Sequence, residues 1–75
     1  MFRGIIKWFS LKRGFGMIEH HGGTDVFVNN AAVRGGGPNI LVQGEKVRFD
    51  VVYGPGGPKS KNVRRTAGWH GHPAG

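Results

Sequence analysis

Two stretches of the chain, Arg13-Gly14-Phe15-Gly16-Met17-Ile18 and Asp25-Val26-Phe27-Val28-Asn29, alternate with a period of two. That is the spacing of a strand with one face buried and the other in water. In the first, Gly16 and Ile18 share one face and Phe15 and Met17 the other. In the second, Val26 and Val28 oppose Phe27 and Asn29. If the aliphatic set Ile18, Val26 and Val28 forms a core, Phe15, Met17 and Phe27 are forced out to solvent. One exposed ring needs no explanation, but two rings and a Met on one sheet face of a basic chain do. Such a surface suits stacked nucleobases, edged by cations that hold phosphates.

The rest of the chain reads as further short strands between glycine- and proline-rich turns. Residues 2–10 form a first strand with Ile6 inward, alternating with Lys7. On pattern alone Trp8 is open between a core ring and a stacking ring, and Phe9 between core and binding face. Residues 10–14 make a tight turn that brings Lys12 and Arg13 to the mouth of the aromatic face, where they would meet phosphates. The second strand runs over 14–20. Gly16 weakens it, which is reasonable if a ligand or the Trp8 ring must approach closely. His20 and His21 fall in a solvated hairpin loop over 20–24 and point to opposite sides, so they do not share a metal.

The third strand covers 25–29. Residues 30–33 suit a single helical turn, with Val33 plugging a barrel end, and residues 34–39 form a flexible loop. The fourth strand, 45–53, buries Val47, Phe49 and Val51 and turns Lys46, Arg48 and Asp50 outward, as an amphipathic sheet edge. After a turn at 54–58 the fifth strand, 59–66, buries Val63 and exposes Lys59, Lys61, Arg64 and Arg65. Residues 67–75, which hold Trp69, His70 and His72, carry no pattern and read as a flexible tail rather than a weak chelating segment. Five short strands without a long helix predict an all-β protein, a small closed barrel over residues 1–66.

Composition narrows the function. A chain of 75 residues is one domain with a small core. It has no Cys, which fits a reducing compartment. No apolar run approaches the roughly 20 residues of a membrane span, and the first residues have no signal-peptide pattern, so a cytoplasmic protein is expected. Lys and Arg number 11 against 4 Asp and Glu, a formal charge of +7, which calls for a polyanionic partner. An anionic membrane would be met by an amphipathic helix, and with 15 Gly and 4 Pro the chain offers none. The glycine run at 35–37 is not followed by Gly-Lys-Ser/Thr and a helix, so it is no phosphate loop. Glu19, Asp25, Glu45 and Asp50 are scattered over different elements, with no paired set for metal-assisted catalysis. No enzyme, cofactor or metal site is expected.

Residues Gly4-Ile5-Ile6-Lys7-Trp8-Phe9-Ser10, together with the two alternating stretches, resemble the cold-shock domain family. The two stretches are similar to that family's two ribonucleoprotein motifs. The likeness continues through residues 41–49 and 57–63 and covers residues 2 to about 66. It implies a five-stranded antiparallel OB-fold barrel whose strands 2 and 3 carry the oligonucleotide face, and it favours a stacking role for Trp8. The chain departs from the family's usual pattern in four places. Met17 stands for Phe, Asn29 for His, Asn30 for an aromatic, and Pro38 where another aromatic is common. Met is polarizable but offers no ring, and Asn29 can still hydrogen-bond a base edge. The strong positive charge implies a shift from stacking toward phosphate contact, with weaker base preference.

The expectation is therefore a monomeric protein that binds single-stranded RNA and DNA with low sequence specificity, an RNA chaperone of the cold-shock type. Trp8, Phe15 and Phe27 stack bases, with Phe9, Met17, Asn29 and Asn30 in the same surface, and Lys7, Lys12, Arg13 and Lys59 contact phosphates. A protein-interaction barrel, a duplex binder driven by charge alone and a strand-exchanged dimer through the loop at 35–38 stay open as alternatives.

Overall fold

The computed structural model describes residues 1–35 and 39–66. It contains five strands: β1 (Phe2–Ser10), β2 (Phe15–His20), β3 (Val26–Asn29), β4 (Lys46–Gly54) and β5 (Gly57–Arg65). One 3-10 turn, Asn30–Ala32, follows β3. The expectations placed on Pro38 and the loop around it, and on the tail 67–75 with Trp69, His70 and His72, lie outside the described residues.

The strands close into a barrel in the order β1-β2-β3-β5-β4. Every seam is antiparallel except the one between β3 and β5, which runs parallel with Phe27 opposite Lys59. That short seam is reinforced by side chain and loop. The Ser60 hydroxyl donates to the Phe27 carbonyl at 3.0 Å, Arg34 N–H donates to the Val63 carbonyl at 2.8 Å, and Val33 bridges Val63. Strand β4 is paired on both sides, with β1 and with β5, so it is not the sheet edge expected from its amphipathic pattern. Closure leaves no open edge for another chain to extend.

The core is the aliphatic set the alternation picks out: Ile6, Ile18, Val26, Val28, Val33, Val47, Phe49 and Val63 are buried. Leu41, in the long connection before β4, joins them, and Val51 and Phe9 pack partly buried against the cluster. Val33 does plug the barrel, its N–H bonded to the Asn30 carbonyl as the 3-10 turn ends.

Two surface assignments are corrected by how the barrel ends are sealed. His20 does not sit in the solvated loop. It ends β2, with its ring 5.7 Å from that of Phe2 and edge-on to that of buried Phe49 at 5.9 Å. Arg65 is not exposed, its side chain being only 6% accessible. Its Nε donates to Glu45 Oε2 at 2.7 Å, and its guanidinium donates to the Ile40 carbonyl at 2.6 Å. Glu45 Oε1 also accepts from Val42 N–H at 3.0 Å. The ion pair and these hydrogen bonds tie residues 40–42 to the end of β5.

Candidate nucleic-acid interface

A bulge in β1 makes one wall of the barrel aromatic. Ile6 is opposite Ile18 and Trp8 is opposite Met17, so Lys7 is the extra residue. Strict alternation from inward-facing Ile6 would send Trp8 into the core. The bulge re-aims it outward, leaving it 43% exposed. The same shift turns Phe9 toward the core cluster, which settles its position. Gly16 lies opposite Phe9. A side-chain carbon there would collide with the Trp8 carbonyl and the Phe9 backbone. Gly16 is thus required by the bulged β1 backbone, not by the Trp8 ring.

The register then assembles a row across four strands: Trp8 on β1, Met17 on β2, Phe27 on β3 and Lys59 on β5. Phe15 stands two residues along β2. Its ring is 5.3 Å from Phe27 and 6.1 Å, edge-on, from Trp8. Phe15, Met17 and Phe27 are half-buried because they shield one another, while their inward neighbours Ile18, Val26 and Val28 are fully covered.

Cations edge this row. Lys12 and Arg13 are exposed on the turn between β1 and β2, which is locked by Gly14 N–H to the Ser10 carbonyl at 2.8 Å and Arg13 N–H to the Ser10 hydroxyl at 3.2 Å. Gly14 has φ +76°, the left-handed turn that glycine adopts without cost. Lys59, at the β5 end of the row, is exposed. Lys7 Nζ donates to Asp25 Oδ2 at 2.8 Å. That hydrogen bond, then the charge of Asp25, holds the Lys7 ammonium above its ordinary pKa, so it is charged throughout the neutral range.

Asn29 and Asn30 build the corner beside the rings. Asn29 Oδ1 accepts from Ala31 N–H at 2.9 Å and caps the 3-10 turn. Asn30 N–H donates to the Gly14 carbonyl at 2.8 Å, and its side chain lies against Gly14. The side-chain oxygen of Asn29, Oδ1, is therefore committed to the fold.

Two neighbours of the surface escaped the sequence reading. Asp25 shares the outward parity of Phe27, which was the available signal, and it holds Lys7 in place. In sequence, residues 54–58 signal only a turn. With Phe27 and Lys59 they line a groove of about 280 Å³, and the signal was their Pro/Gly run directly before Lys59. The larger cleft, about 640 Å³, lies away from the rings, between Arg3, Glu19, His20, His21 and Lys46. Among the described residues no group of His, Cys, Asp and Glu gathers where it could hold a metal, and no helix is long and apolar enough to cross a membrane.

A closed five-stranded barrel with rings on its first three strands and cations at their margins belongs to the oligonucleotide-binding class of small β-barrels. More narrowly, the chain belongs to the cold-shock domain family: residues 2–66 match the "cold-shock" DNA-binding domain. It is 46% identical over 63 residues to cold shock protein CspB of Bacillus caldolyticus, covering 84% of this chain and 96% of that protein. The same figures hold for cold shock protein CspD of Bacillus subtilis. Cold shock-like protein CspE of Bacillus anthracis is 48% identical over 60 residues, 80% of this chain and 90% of the relative.

Proposed function

We propose that the protein binds single-stranded RNA and DNA with little sequence specificity and acts as an RNA chaperone. The observation that carries this reading is the contiguity of Trp8, Phe15 and Phe27 on the outer wall, at 6.1 and 5.3 Å. Three rings in contact on the outer wall, Trp8 exposed and Phe15 and Phe27 half-buried, have no packing role that an aliphatic residue would not fill. Their accessible faces suit successive unpaired bases. Met17 continues the apolar row, and Lys7, Lys12, Arg13 and Lys59 stand where a backbone running past the rings would place phosphates. Sequence tolerance follows from this chemistry, because every base has a π-face while few side chains here are free to read base edges.

Chaperone action needs no catalysis. A protein that binds only open strands shifts a weak hairpin toward its open form by mass action, without ATP. The carboxylates support a binder over an enzyme: Asp25 holds Lys7, Glu45 holds Arg65, and Asp50 accepts from Asn62. In this reading residues 1–66 are the binding unit, acting as a monomer in the cytoplasm. The test is titration with oligothymidine in a Trp69→Phe background, so that Trp8 is the reporting indole. Saturable quenching is expected from oligothymidine and not from unrelated peptides. Quenching by peptides alone would replace this reading with a protein-interaction role.

A further inference from the structure

We propose a second nucleic-acid contact on the opposite wall of the barrel, one that grips the phosphodiester backbone of a duplex. Arg3 on β1 is directly opposite Arg48 on β4, and Arg48 is directly opposite Arg64 on β5. Arg48 and Arg64 point outward because their chain neighbours Val47, Phe49 and Val63 fill the core, and Arg3, opposite Arg48, is exposed. Three guanidinium groups thus stand in one row across three adjacent strands, at a strand spacing of about 4.8 Å. Lys46, also outward, lies two residues along β4 beside Ile5. This wall is separate from the rings: the barrel order puts β4 and β5 across from β2.

Like charges directly opposite one another in a sheet are destabilising, so the row is costly in the free protein. None of the three holds a carboxylate within the described residues, where the two ion pairs are Lys7 with Asp25 and Arg65 with Glu45. The nearest acid is Asp50, two residues along β4 from Arg48 on the same face, and it accepts from Asn62 Nδ2 at 3.1 Å; Glu19 lies further off, beside Ile5. Arg48 carries a further mark: its Nε is buried with no acceptor, a donor left unsatisfied at some cost. Arg3, Lys46 and Glu19 also border the cleft of about 640 Å³, which gives an incoming backbone room to seat.

The ligand follows from the side chains. Arginine forks match phosphate geometry. The exposed ring nearest the row is Phe2, beside Arg3, and it packs against Phe49 and His20 at the barrel end, while Tyr53 lies at the far end of β4 and Ile5 is the large apolar side chain between Arg3 and Lys46. Contact is therefore to backbone alone, which a duplex presents as well as a single strand does. The two walls would let one molecule hold an opened strand on the rings while gripping the stem from which it came.

The experiment measures binding to a labelled blunt duplex of about 20 base pairs and to oligothymidine at matched salt near 100 mM. The triple variant Arg3→Gln, Arg48→Gln, Arg64→Gln should lose about tenfold or more in duplex affinity. Its slope of log K against log salt should flatten by about 3 units. Oligothymidine quenching should stay within about threefold of wild type. The same three positions changed to Lys should keep most of the slope. Arg64→Gln alone, at an exposed site, should flatten it by about 1 unit, which secures the test if the triple variant folds poorly. Saturating oligothymidine should not displace the duplex. Failure of wild type to bind duplex, an unchanged slope in the Gln variants, or equal losses on both ligands would overturn the proposal. Duplex binding without oligothymidine quenching would instead overturn the ring-face reading and leave this one standing.

Discussion

Phe15 and Val26 are both apolar residues on the central strands, and they differ in which face they occupy. Phe15 lies against Phe27 and Trp8 on the outer wall, whereas Val26 is 1% accessible. Phe15→Ala should weaken oligothymidine binding by about 1–3 kcal/mol, the range for one base–aromatic stack, with a small change in melting temperature. Val26→Ala should do the reverse, costing about 2 kcal/mol of stability through lost burial and a residual cavity and leaving the affinity of the folded protein intact. A Phe15 variant that melts early but binds normally would put that ring in the core. Met17 sits between Trp8 and Phe27 in register, so it supplies apolar area to the row but no rigid π-surface. Met17→Phe should tighten oligothymidine binding by up to ~1 kcal/mol, seen as slower dissociation at an unchanged salt slope because no charge is altered. Unchanged affinity would mean that no base stacks at residue 17 or that Met already serves as well.

At the scale of the element, bulges separate what the sequence discloses from what it hides. Period-two alternation was enough to place Ile18, Val26, Val28, Val47, Phe49 and Val63 inside and Phe15, Met17 and Phe27 outside, because β2, β3 and most of β4 are regular. It could not orient Trp8 or Phe9, since one extra residue, Lys7, reverses the parity of everything after it, and no residue type announces such an insertion. His20 and Arg65 were misjudged for a related reason: sealing a barrel end is a long-range act, and a polar residue at a strand end carries no mark of the partner it will meet. The second irregularity lies in β5, where Arg64 is opposite Arg48 but Lys61 is opposite Asp50. The extra residue falls at Asn62, which has φ +53° and donates to Asp50 Oδ2 at 3.1 Å. Asn tolerates the left-handed region and β-branched residues do not. Asn62→Val should therefore cost about 2 kcal/mol, and Asn62→Gly at least ~1 kcal/mol less, a separation of roughly 4–8 °C in melting temperature. Equal losses for the two variants would mean that the Asp50 hydrogen bond, and not the backbone conformation, fixes the bulge.

At the scale of the molecule the governing quantity is charge. The formal charge is +7, and of 11 Lys and Arg side chains only Lys7 and Arg65 hold a carboxylate among the described residues. Arg65 serves the fold, so most of the remainder is available to a polyanion. On the ring wall four cations stand beside the aromatic row: Lys7, Lys12, Arg13 and Lys59. A single strand lying on the rings and meeting all four should release counterions in proportion, giving log K against log salt a slope of about −3. The measurement needs a short oligothymidine, within the roughly 4–16 nucleotides one such barrel covers, so that the arginine row on the far wall does not contribute. A slope near zero would show that the charge lies away from the interface. A slope near −2 would show that Lys7 keeps Asp25 in the complex and only three cations reach phosphate. The same physics bounds the proposed chaperone role. Salt screens strand–strand repulsion and so stabilises an RNA hairpin, while it also weakens the protein's hold on the open strand. Hairpin opening, followed with a fluorophore and quencher on the two ends, should therefore fall more steeply with salt than oligothymidine binding does. Equal steepness would mean that the protein grips the closed hairpin as firmly as the open one, and then binding could not drive melting.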